Sequence, residues 1–178
     1  GSRSGASIRH PHFQLVATAV VPAAVGRMIE RQETFARENG RPLFEAMLED
    51  ELSAGSRVIA VADQFVVLAP WASQAPYETW IVPRTAINSF RELPDDQTAA
   101  FAVVLRDTLR RLHCGLDDPD YNLIIHDAPK GDRAREHHRF FVQILPRLMS
   151  PAAFELGTGV FINHVPPESA AAMLRETR

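Results

Sequence analysis

Three short runs rich in β-branched and aromatic residues follow one another with only turns between them: Arg57-Val58-Ile59-Ala60-Val61, Phe65-Val66-Val67-Leu68 and Glu78-Thr79-Trp80-Ile81-Val82-Pro83. Runs of this composition favour strands, and connections this short have no room for the crossover that a parallel pair requires. The chain is therefore constrained to an antiparallel meander, against which everything else must pack. Asn122-Leu123-Ile124-Ile125 and Phe140-Phe141-Val142-Gln143-Ile144-Leu145 read as two more strands around a polar loop, Asp127 to Glu136.

Helices are expected on either side of the meander. Val25, Met28, Ile29 and Phe35 recur at near-helical spacing and end at Asn39-Gly40. A second stripe, Leu43, Phe44, Met47, Leu48 and Leu52, starts at Pro42 and closes at Gly55. Pro94-Asp95-Asp96-Gln97 opens a long core-facing helix through Phe101, Val104, Leu105, Leu109 and Leu112, with Gly115 past its end. Gly157-Thr158-Gly159 reads as punctuation in an extended segment, and Pro166-Pro167-Glu168 as the start of a terminal helix. The expected class is α+β: a mostly antiparallel sheet with flanking helices.

The bulk properties narrow the function classes. The 178 residues and 46% hydrophobic content suit one compact domain of about 100 to 200 residues. A net charge of -3, without a Lys/Arg run interleaved with aromatics, argues against a nucleic-acid partner. Cys114 is the only cysteine, which excludes an intrachain disulfide and a Cys-rich metal site and fits a reducing, cytoplasmic setting. The longest apolar run, Leu15 to Val25, is too short to span a bilayer, so no membrane role is expected.

One motif carries chemistry. In His10-Pro11-His12-Phe13-Gln14, an extended strand from Ser7 to Val21 would project His10, His12 and Gln14 from one face, and Pro11 would confine it to an edge or bulge. An imidazole with an unprotonated nitrogen is a nucleophile towards phosphorus or a metal ligand, and a neighbouring carboxamide can donate to a charged oxygen. The row therefore suggests phosphoryl-type transfer. Elsewhere, His137-His138 with Arg133, Arg135 and Arg139 reads as a solvated polar loop, the alternative being a phosphate contact. His126 ends a strand, as a structural hydrogen-bonding residue or a ligand contact. Trp71 and Trp80 are expected in the core or on a subunit surface.

Taken in order along the chain, several segments resemble the galactose-1-phosphate uridylyltransferase family of the histidine-triad superfamily. These are His10 to Gln14 with the apolar run to Pro22, Val66-Val67-Leu68-Ala69-Pro70-Trp71-Ala72, Pro76 to Pro83, and Tyr121 to Pro129. Phe154-Glu155-Leu156-Gly157-Thr158-Gly159, Ile162-Asn163 and Phe140 to Pro146 are more similar to the plant adenylyl-sugar phosphorylase subgroup. The family joins two histidine-triad-like halves. The resemblance implies that residues 1–24 are the terminal strand of a first half and 25–178 a second histidine-triad-like domain, with the rest of the first half missing.

The resemblance also assigns roles. His12 would attack the α-phosphorus of a UDP-sugar, releasing hexose 1-phosphate, and a second hexose 1-phosphate would take the nucleotide. Gln14 would hold a phosphate oxygen of the intermediate, and His126 and Gln143 would contact substrate. His10 would occupy a structural zinc position whose partners lie in the first half, so zinc is expected only in a two-half assembly. Some members hold a second metal through a glutamate, the histidine matched by His126 and a later His-x-His. Here Met28 and Arg139-Phe140-Phe141 stand at those positions, which implies no second metal. The implied partners are a separate first-half chain or a second copy. Histidine-triad hydrolysis, adenylyl-sugar phosphorolysis and an inactive nucleotide-binding or scaffold subunit are the alternatives.

Overall fold

The structure, a computed structural model, describes residues 4–5, 12–16, 18–130 and 137–177. The meander forms as β1 (Val58–Val61), β2 (Phe65–Leu68) and β3 (Thr79–Pro83). Two later strands, β4 (Tyr121–His126) and β5 (Phe141–Pro146), extend it into one five-stranded antiparallel sheet of order β1-β2-β3-β5-β4. β5, the later of these two in sequence, is inserted between β3 and β4, pairing Trp80 with Gln143 on one side and His126 with Phe141 on the other.

Because side chains alternate across a sheet, the two faces build two cores. α1 (Ala23–Asn39) and α2 (Leu43–Ala54) cover the face bearing Val66, Leu68, Val82 and Phe141, packing Met28, Phe44 and Leu48 onto it. α3 (Asp95–Leu116) and a C-terminal helix, Pro167–Glu176, cover the other, where Phe101, Leu112, Ala171 and Leu174 meet Phe65, Val67, Ile81, Val142 and Ile144. Central β2 and β3 are almost wholly buried, as expected for strands covered on both faces. No helix among the described residues is long and apolar enough to cross a membrane.

Three local expectations need correction. α3 runs through Gly115 to Leu116 and turns at Asp117, whose φ is 56°. Gly115 sits inside the helix where the C-terminal helix comes close: a Cβ there would lie 3.0 Å from Met173 Sδ and 3.1 Å from Thr177 Oγ1, so both side chains would have to give by a few tenths of an ångström. The segment around Gly157 is a short helix, α4 (Ala153–Thr158), and the Pro167–Glu176 helix is accordingly α5. Glu155 accepts the Ala152 N–H at the start of α4, and Gly159 at φ 70° stops it. Finally, His12–Val16 lie exposed outside the sheet, so the strand expected from Ser7 to Val21 is not formed over these residues. Sheet structure requires a ladder partner, and no described strand pairs with them.

One polar tie joins both helical layers to the sheet edge. Arg57, just before β1, donates Nε to both carboxylate oxygens of Glu51 in α2 at 2.9 Å and Nη1 to Glu168 in α5 at 2.8 Å. The Glu51 side chain is only 5% exposed, that of Glu168 45%. Removing one member of a buried pair strands a charge, whereas an exposed pair contributes little. Arg57→Ala is therefore expected to destabilise the fold by about 3 kcal/mol and Glu168→Ala by less than about 1 kcal/mol, read from urea denaturation midpoints.

Candidate functional site

The described part of the His10-Pro11-His12-Phe13-Gln14 motif lies in the exposed arm that precedes α1. His12 and Gln14 are both exposed, as are Phe13 and Leu15 on either side of Gln14; His10 lies outside the described residues. The described residues of the arm thus present His12 and Gln14 to solvent.

A second cluster forms where β5 passes between β3 and β4. Residues directly opposite, and diagonal neighbours on one face, come within side-chain reach across a sheet, which gathers Glu78, Trp80, Gln143, Phe141 and His126 on the α1/α2 face. Gln143 is buried in mid-strand, and its carboxamide is satisfied at both ends: Nε2 donates to Glu78 Oε1 at 2.7 Å, and Oε1 meets His126 Nε2 at 2.8 Å. Glu78, 1% exposed, also accepts the Trp80 indole N–H at 2.7 Å and the Gln74 backbone N–H at 2.6 Å. The His126 ring stacks on Phe141 with centroids 4.3 Å apart and planes 9° from parallel. Burial holds its imidazole below the ordinary histidine range.

His126 and Gln143 are thus brought together, and Glu78 and Trp80 join them as partners that the motif reading missed. The signal available was the i, i+2 relation of Glu78 and Trp80, which sets them on one strand face. His138 is the other departure. It is 3% exposed, where a solvated loop residue was expected, with Nε2 3.3 Å from the His126 carbonyl and Nδ1 3.2 Å from the Gln32 carboxamide. Burial lowers its imidazole as well. Its Nε2 must donate to the carbonyl, so a neutral ring requires the Gln32 NH2 to face Nδ1. Arg139 is also buried, its Nη1 reaching the Pro83 and Arg84 carbonyls at 3.3 and 3.4 Å, with Glu45 3.9 Å from Nη2. Arg133 and Arg135 lie outside the described residues. Trp71 is 75% exposed, while Trp80 packs on Phe141.

The donor set around His126 does not suit a metal. Its Nε2 is taken by Gln143, Phe141 covers the ring, and Met28 belongs to the same apolar core. Of Arg139-Phe140-Phe141, only Phe141 pairs with His126; Gln143, two residues on, supplies the second contact. Among the described residues, no three His, Cys, Asp or Glu side chains gather as ligands would.

Two clefts open on the surface. One, of about 80 Å³, is lined by Gln74, Ala75 and Pro76 before β3, by the end of β5, and by Glu155, Phe161 and Ile162 near α4. The other, of about 350 Å³ and wide open, lies between α2 and the Arg84–Arg139 pair. Sites that bury most of a small ligand typically enclose about 300 to 1,000 Å³. The first cleft is too small, and the second too open, to enclose a nucleotide sugar.

Buried His138 and half-buried His126 make the fold sensitive to acid. Both are held below their ordinary value of 6.5 by desolvation, so as pH falls the unfolded chain takes up protons before the folded one. Stability then rises with pH where the unfolded state binds more protons. It is expected to be level above about pH 7.5 and to fall below about pH 6.5, by at most about 1.4 kcal/mol per pH unit for each histidine. Urea denaturation from pH 8 to 5 measures this, and His138→Asn should lower the slope; a stability that rises towards acid contradicts the assignment.

Against known proteins, residues 28–160 match the family model described as galactose-1-phosphate uridyl transferase, C-terminal domain. ADP-glucose phosphorylase of Arabidopsis thaliana is 33% identical over 99% of this chain and 49% of its own length. Galactose-1-phosphate uridylyltransferase of Neurospora crassa is 28% identical over 99% of this chain and 47% of its own. The chain therefore spans about half the length of these relatives. A GALT-like protein of Arabidopsis thaliana superposes with a TM-score of 0.89 at 32% identity, covering all of this chain and 58% of that one. A Hit-like protein from Bartonella henselae, 11% identical, shares the fold with a TM-score of 0.53 over 74% of this chain and 95% of its own. The antiparallel sheet with flanking helices is thus histidine-triad-like, and the chain belongs to the galactose-1-phosphate uridylyltransferase family, matching its C-terminal domain.

Proposed function

We propose that this chain is the second portion of a hexose-1-phosphate nucleotidyltransferase that exchanges UMP between UDP-glucose and galactose 1-phosphate, with His12 as nucleophile. The observation that carries this reading is the ordered match over 99% of the chain to relatives named for nucleotide-sugar and sugar-phosphate chemistry. An imidazole nitrogen of His12 attacks the α-phosphorus; an N–P bond forms as the bond to the bridging oxygen breaks, and glucose 1-phosphate leaves with that oxygen. A phosphate oxygen of galactose 1-phosphate then attacks the uridylyl-histidine, regenerating the imidazole and giving UDP-galactose. Splitting the transfer this way makes it a covalent, ping-pong exchange. Gln14 steadies a nonbridging oxygen, and acceleration comes from positioning and charge stabilisation.

In this reading the remaining walls of the pocket come from a first-half chain or a second copy. Support lies in the small and open clefts and in the exposed apolar side chains of the arm and the α4 region, among them Phe13, Leu15, Leu156 and Phe161. Exposed apolar side chains that gather on a surface mark protein contacts. His10 would complete a zinc site only in that assembly. A second reading is favoured by the 33% identity to ADP-glucose phosphorylase: the nucleotide is adenylyl, and inorganic phosphate attacks the adenylyl-histidine to give ADP.

Intact mass spectrometry after incubation with labelled UDP-glucose or ADP-glucose, alone and with a first-half polypeptide, tests both readings. A uridylyl or adenylyl adduct mapped to His12 and absent from His12→Ala is expected, and its discharge by galactose 1-phosphate or by phosphate separates the two. No adduct in either condition, with wild type indistinguishable from His12→Ala, would leave a scaffold or nucleotide-binding subunit in their place.

A further inference from the structure

The buried chain of polar groups ending at His126 fixes more than the position of its ring. Both oxygens of Glu78 face groups that can only donate, the Trp80 indole N–H at Oε1 and the Gln74 backbone N–H at Oε2, so this carboxylate is an acceptor throughout. Gln143 must therefore turn its NH2 towards Glu78. That leaves the carboxamide oxygen for His126 Nε2, 2.8 Å away. A carboxamide oxygen only accepts, so the proton of His126 sits on Nε2. Phe141, stacked on the ring, prevents it from turning over to exchange its nitrogens. Burial disfavours a second proton, and Nδ1 has no hydrogen-bond partner among the described residues.

We infer that Glu78 is a positioning residue that acts through Gln143 to lock His126 as the Nε2–H tautomer, leaving Nδ1 as a pure hydrogen-bond acceptor. The chemical consequence is selective. A ligand group that meets His126 at Nδ1 must itself donate, as a sugar hydroxyl or a base N–H does, and an ionised phosphate oxygen finds no proton there. That consequence rests on His126 contacting substrate, as in the proposed function; the tautomer lock does not.

Nitrogen-15 NMR of the histidine rings, in the chain as it stands, separates the two statements. In wild type at pH 8, above the ordinary histidine range, His126 is expected to show Nε2 in the protonated range and Nδ1 in the unprotonated range. Glu78→Gln removes the obligate acceptor and frees the Gln143 carboxamide to rotate, so the split between the two nitrogens should diminish or reverse. Should Glu78→Gln not fold, Gln143→Leu, which cuts the relay at its middle, should produce the same loss. A wild-type ring protonated on Nδ1 or averaging between tautomers, or a split that survives both substitutions, overturns the lock. With the lock intact, adding glucose 1-phosphate and sulfate, a fully ionised oxyanion with no proton to donate, separately and with the first-half polypeptide present, tests the ligand rule. The Nδ1 resonance should move with the sugar phosphate and not with sulfate; movement with sulfate, or with neither, overturns the rule. His12 adduct formation is scored independently, so failure of the lock and failure of the proposed function remain distinguishable.

Discussion

The burial of Gln143 in the middle of β5 is the constraint on which much of this architecture turns. A carboxamide in a strand flanked by β3 and β4 cannot reach bulk water, and leaving either end unsatisfied would cost about 1–3 kcal/mol. Its two ends need opposite partners: an acceptor for the NH2 and a donor for the oxygen. β3 delivers the first through Glu78 and β4 the second through His126, so satisfaction of one side chain fixes the alignment of three strands. A slip of one residue would turn Gln143 to the opposite face and away from both partners. Polar specificity of this sort complements the apolar packing, which tolerates many exchanges and is less selective about register.

The same insertion explains what the amino-acid sequence made legible. The meander and the helical stripes are local patterns of period 2 and 3.6, and each corresponds to an observed element, with ends within a few residues. The placement of β5 between β3 and β4 is a non-local choice, so nothing in the run Phe140 to Leu145 alone announces that Trp80 will face Gln143 or that Phe141 will lie under His126. His138 and Arg139 were hidden for a related reason. Their charged and polar character reads as loop, yet α1 and α2 descend on them and supply Gln32 and Glu45. Gly115 and the Gly157–Gly159 stretch show the ambiguity of glycine, which can stop a helix or permit one to approach another.

The His10 to Gln14 motif presents the opposite case. His12 and Gln14 stand out through the resemblance and not through their spacing alone, since most His-x-His pairs are surface histidines, and here they stand in an exposed arm. Reactivity of an imidazole towards phosphorus depends on orientation and on nearby donors that meet the developing charge. Those are properties of a pocket, which a motif does not specify. The cluster at His126 is built inside the fold, with buried partners in Glu78 and Gln143 and a ring plane held by Phe141. If the two meet around one nucleotide sugar, the division of labour is physical. In the proposed function the arm supplies the nucleophile, and the sheet supplies a rigid acceptor whose preference Glu78 sets through Gln143.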